Sequence, residues 1–187
     1  MVTEADDRRR TTVRLGLFLF LLSVSAMFIG SLVAYGVTRS AQPASFSGRG
    51  LPAGTWLSTA MLVVLSIAMH VAVRASRNNA PRRCHRSLNT ALLLAVTFCA
   101  AQVLNWRDLY RVEAVHNTMY AFTFYMLTGL HVLHVAGGVI PLALMTRRAG
   151  QGEYSSSRTE PLILLTVYWD YLGVVWLVLL GALIWGS

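Results

Sequence analysis

Four ionisable side chains stand inside stretches that are otherwise almost wholly apolar. They are His70 in "LSIAMHVAV", His131 and His134 in "TGLHVLHVAGGVI", and Asp170 in "VYWDYLGVV". Imidazole and carboxylate at such positions can ligate a haem or metal ion, carry protons, or hydrogen-bond across helices. Each use makes its own demand on spacing. At 1.5 Å per helical residue, His70 lies ~21 Å and His131 ~20 Å from the outer ends of their stretches. That shared depth leaves a bridge from His70 to His131 or His134 geometrically open. A metal site, however, wants three or four ligands, and no further His or Cys stands at this level. A second histidine pair for two haems is also absent from the sequence. His131 and His134 are therefore read as hydrogen bonders in helix packing, beside Gly129, Gly137 and Gly138, which let helices approach closely. Asp170 is expected to accept a hydrogen bond from a histidine, with His134 at reachable depth, or from a hydroxyl, offsetting part of its burial. Gln102 reads as an amide bridging helices, and Tyr120, Tyr125 and Tyr168 join it as polar packing groups.

The elements that must hold these residues follow from composition. Of 187 residues 55% are hydrophobic and 13% charged, and the mean hydropathy is +0.54, more apolar surface than a soluble core absorbs. A bilayer crossing needs roughly 20 mostly apolar residues, and five stretches qualify, near 15–37, 56–73, 88–106, 118–145 and 162–185. The sequence predicts an all-α integral membrane bundle of five transmembrane helices, preceded by a polar N-terminal segment, 1–14, at the membrane surface. The first stretch follows Arg8, Arg9 and Arg10 but is longer than a signal h-region and lacks a small-residue cleavage pattern, so it reads as a retained helix.

The net charge of +8 is an orientation signal. All sixteen basic residues are arginines. Twelve lie before the first span and in the second and fourth loops; four (Arg39, Arg49, Arg107 and Arg111) lie in the first and third. By the positive-inside rule the N-terminus is cytoplasmic and the C-terminus external. With no basic, aromatic-interleaved soluble segment, nucleic-acid binding is excluded. The segment "RASRNNAPRRCHRS", 74–87, reads as a cytoplasmic loop containing Cys84; Cys99 lies in the third span, and neither suggests a disulfide or metal motif. Trp56, Trp106, Trp169 and Trp185 fall toward span ends, where indole tolerates the headgroup layer, while Trp176 sits deeper as packing. Gly30 and Ala34 form a small-xxx-small face on the first span, Pro141 is a candidate kink in the fourth, and Pro161 suits the first turn of the fifth.

"YMLTGLHVLHVAGG" at 125–138 and "VYWDYLGVVWLVLLGALIWGS" at 167–187 resemble subunit III of the haem-copper respiratory oxidases, in its five-helix form. Thr128, Gly129, His131, His134 and Val135 match a TGxHxxHV signature. Tyr168, Trp169, Val174, Val175, Trp176, Trp185, Gly186 and Ser187 match a closing helix of the form YWHFVDVVW ending in WGS. "LFLFLLSVSAMFIGSLVAY" resembles the family's first helix, Gln102 matches a glutamine of the third span, and Leu51-Pro52 the approach to the second. The resemblance implies a non-catalytic subunit of an aerobic terminal oxidase in a bacterial-type cytoplasmic (inner) membrane. It would bind no haem, copper or other metal itself, pack on catalytic subunit I among other oxidase subunits, hold phospholipid in a cleft, and support proton uptake and stability. Three positions depart from the pattern: Val24 replaces a glutamate, Asp170 a histidine and Gly173 an aspartate. Val24 and Asp170 are at similar depth, which suggests that a polar contact between the first and last helices has been rewritten.

Two other readings share the residues. One is the subunit III-like accessory protein of nitric oxide reductases; the other is a membrane cytochrome with His70 and His131 or His134 as haem ligands. A small transporter is disfavoured by the missing inverted repeat and the single intramembrane carboxylate.

Overall fold

A computed structural model describes residues 4–46, 54–111, 118–154 and 159–186. Arg49, Leu51, Pro52, Arg158 and Ser187, all used in the sequence reading, lie outside the described residues. Five long helices appear among those described: α1 (Glu4–Ala41), α2 (Gly54–Arg77), α3 (Pro81–Arg111), α4 (Met119–Gly150) and α5 (Glu160–Gly186). All five are long and apolar enough to cross a membrane. A short 3₁₀ turn follows α1 at Pro43–Ser45, and no strand occurs among the described residues.

The helices overrun the apolar stretches. Described helix begins at Glu4, so the polar residues before Leu15 prolong the first helix. The expected loop at 74–87 is a correction: only Asn78, Asn79 and Ala80 separate α2 from α3. Ala80 N–H donates to Ala75 O (2.9 Å) and Asn79 N–H to Ser76 O (3.1 Å), with Asn79 left-handed at φ 50°, a Schellman stop. Pro81 then opens α3 at a position where its missing N–H costs nothing. Cys84 therefore sits buried in a helix. Helix α4 passes through Pro141 to Gly150 and stops the same way, with Glu153 N–H donating to Arg148 O and Gly152 N–H to Ala149 O; Gly152 has φ 78°.

Helices α2, α3, α4 and α5 pack as a ring in which each touches the next, and α1 lies outside it against α4 and α5. The ring's core is filled by Met69, Leu88, Phe98, Leu142, Trp169 and Trp176, all buried. A second core joins α1 to α4 and α5 through Val24, Phe28, Phe124 and Leu179. Phe46, beyond α1, folds back between Tyr35 and Tyr120, edge-on to both rings at 5.7 and 5.8 Å. Gly30 and Ala34 face outward, and a side chain at Gly30 would meet nothing within 4 Å among the described residues. The small-residue face of α1 thus makes no close contact among the described residues.

Candidate functional site

The four intramembrane ionisable groups fall in two places. On the outer side of the α2–α5 seam, Asp170 Oδ1 accepts from the Ser66 hydroxyl, and Oδ2 lies 3.0 Å from His70 Nε2. Ser66 and His70 are one turn apart on the same face of α2, one above the other, so both can reach the Asp170 carboxylate of α5. Asp170 thus has the histidine and the hydroxyl expected of it, but the histidine is His70 and not His134. His134 instead turns Nδ1 to the Leu130 carbonyl of its own helix at 2.7 Å. Its own carbonyl accepts from the Tyr168 hydroxyl at 2.7 Å, tying α4 to α5.

His131 lies inside the bundle, fully buried. Its ring is 5.1 Å from Trp176, 5.8 Å from Phe98 and 6.2 Å from Phe28. Neither nitrogen has a hydrogen-bond partner among the described residues, which corrects the expectation that it bonds a neighbouring helix. Among the described residues three aromatic rings take the space around the imidazole where a polar partner would stand. With His70 on the α2–α5 outer seam and His131 in this cage, the structure does not bring the candidate haem ligands together. Among the described residues no group of three or more His, Cys, Asp or Glu could hold a metal ion.

Further hydrogen bonds between helices come from residues outside this group. Trp176 Nε1 donates to Thr59 Oγ1 (2.9 Å), joining α5 to α2. Trp106 Nε1 donates to Thr128 Oγ1 (2.9 Å), and the Tyr125 hydroxyl donates to the Trp106 carbonyl (3.1 Å), joining α3 to α4. Trp169, placed near a span end by sequence, is buried in the core, and its Nε1 has no partner among the described residues. Gln102 does not bridge helices through its oxygen: Oε1 accepts from Asn105 Nδ2 of the same helix at 3.4 Å. Gly138 alone of the three motif glycines marks a tight approach; a Cβ there would lie 2.6 Å from Tyr168 Cε1. Gly129 has only ordinary contact with the Trp106 ring, and Gly137 is open.

Val24 is buried in the α1–α4–α5 core, while Asp170 looks toward α2. The two substituted positions therefore do not face each other. A polar α1–α5 contact exists one residue along on both helices, where Ser25 Oγ and Tyr171 Oη are 2.9 Å apart. Hydroxyls are frequent in membrane helices, so the sequence offered no signal for this pair.

Between α1, α4 and α5 a groove of about 1300 Å³ runs from His134 and Gly137 to the arginine-rich end of the bundle. Leu17, Phe20, Leu133 and Leu164 form its apolar walls; Arg148, Glu153, Tyr154 and Glu160 line its mouth. Arg14 Nε donates to Glu160 Oε1 across the mouth at 2.8 Å. Burial pushes the Tyr154 phenol above its ordinary pKa, against the opposing influence of Arg148.

Comparison with known proteins matches residues 5–187 to the family model described as cytochrome c oxidase subunit III. A cytochrome c oxidase subunit 3 of Synechocystis sp. is 31% identical over 169 residues, covering 88% of this chain and 71% of that protein. A probable cytochrome c oxidase subunit 3 of Nocardia farcinica is 27% identical, covering 90% of this chain and 85% of its own. One from Thermostichus vulcanus is 26% identical, covering 88% and 83%.

Proposed function

The chain belongs to the cytochrome c oxidase subunit III family, a non-catalytic subunit of haem-copper oxidases, and from that premise we propose that it packs on catalytic subunit I. The match across residues 5–187 carries this reading. Haem and copper reside in the partner subunits, and the chain contributes protein and lipid contacts. The twelve-to-four arginine split orients the groove mouth to the cytoplasmic side of a bacterial inner membrane, with the C-terminus external.

The groove takes a phospholipid. Its acyl chains lie along Leu17, Phe20, Leu133 and Leu164, and the phosphate is drawn to Arg148 at the mouth. Because Val24 is apolar where the family carries a glutamate, support of proton uptake is indirect, through the lifetime of the packed complex. Affinity purification of the full chain in mild detergent tests the reading. A haem-copper catalytic subunit and about one retained phospholipid per chain are expected. Recovery with nitric oxide reductase, or with no haem protein, would contradict it.

A further inference from the structure

The Ser66–His70–Asp170 cluster lies on the outside of the bundle at a depth where water is scarce. Asp170 is ten residues into α5, ~15 Å along the helix, and its side chain remains 36% exposed with His70 at 63%. A carboxylate offers about four lone-pair sites. Ser66 and His70 account for two. Hydrocarbon can serve neither the remaining sites nor the charge, and ionisable groups in membrane helices face protein or water-filled space for that reason.

The same face is shaped for another helix. Asp170, Val174, Leu177 and Gly181 recur at i, i+4, i+7 and i+11, one stripe of α5. Val174 and Leu177 are 60% and 52% exposed. Side chains built at Gly173 and Gly181 would meet nothing within 4 Å among the described residues, so a neighbouring backbone can come close at both heights.

We infer that the outer α2–α5 seam, centred on Asp170 and His70, is where a transmembrane helix of another oxidase subunit docks, presenting a hydrogen-bond donor side chain to Asp170. This rests on the family reading and adds the face, the anchor and the partner's chemistry to it. The partner must supply a donor, which separates it from a lipid tail. A second copy packed about a two-fold axis on Asp170 would bring carboxylate to carboxylate, and like charges repel.

Photo-crosslinking in the intact complex decides it. A benzophenone amino acid is placed at Val174 or Leu177 on the seam, and at Leu93 on α3 or Ile140 on α4, both also exposed. The seam positions are expected to yield adducts with another oxidase subunit at least about tenfold above Leu93 and Ile140. Asp170→Leu is expected to lower co-purification of that subunit about tenfold or more, and Asp170→Asn, which keeps one acceptor oxygen, by less, as for loss of one partner of a desolvated pair. Seam adducts to lipid alone, or to a second copy of this chain, would overturn the inference. Adducts to an oxidase subunit from α3 or α4 but not the seam would overturn it while leaving the family reading intact; no such adduct from any position, with no oxidase subunit recovered, would overturn both.

Discussion

Replacing Gly138 with alanine tests whether close backbone approach sets the α4–α5 contact. The added methyl would stand 2.6 Å from Tyr168 Cε1 and 3.2 Å from Trp169 Cζ2. Carbon atoms pack at ~3.5–4.0 Å, so the tyrosine ring must retreat by about 1 Å. It has little room, because its hydroxyl is tied to the His134 carbonyl and its ring lies against Phe20 and Trp169. Overpacking of this kind costs ~1–3 kcal/mol. Loss of the hydroxyl's bond adds about 1 kcal/mol, and the better helix propensity of alanine returns about 1 kcal/mol. Gly138→Ala is thus expected to destabilise by ~1–3 kcal/mol. Gly137→Ala is the control: its methyl meets nothing within 4 Å among the described residues, so it should be neutral or gain up to about 1 kcal/mol. Both are measured by denaturant titration of the full chain in mild detergent, followed by tryptophan fluorescence. Equal stability of the two variants would refute the packing argument.

Further outcomes follow from the polar groups. His131→Leu should be neutral or stabilising by about 1 kcal/mol, because it removes unsatisfied nitrogens from an aromatic cage; a loss above about 2 kcal/mol in the same titration would mean that the imidazole is hydrogen-bonded. Thr59→Val should cost ~1–3 kcal/mol by orphaning the indole N–H of Trp176, and a null result would remove that bond from the account. A double-mutant cycle of Ser25→Ala and Tyr171→Phe should show coupling of roughly 0.6 kcal/mol, the average for such bonds between membrane helices; additive losses would mean that the hydroxyls do not meet.

The five crossings were legible because unbroken apolar runs have few other uses, and the closing motifs at 125–138 and 167–187 carried the family resemblance. Helix ends were not legible. Polarity at 74–87 reports where water and headgroups are, and the backbone stays helical there until Asn79 turns left-handed. Depth along a helix limited Asp170's partners by height but left direction open, so His134 stood as the histidine within reach and His70, the actual neighbour, was not singled out. Which helix lies on which side is set by the ring of α2, α3, α4 and α5 with α1 outside it, and no single span encodes that order. The same gap explains His131, whose aromatic neighbours Phe28, Phe98 and Trp176 come from three other helices.

The role proposed for this chain is to support an oxidase whose redox centres lie in other subunits. Stripping the chain from the purified complex and recording haem content and oxygen consumption tests that most directly. Haem should stay with the remaining subunits, the released chain should be colourless, and initial oxygen consumption should persist but decay faster during turnover. Haem leaving with the chain, shown by a Soret band in the released fraction, would contradict the account.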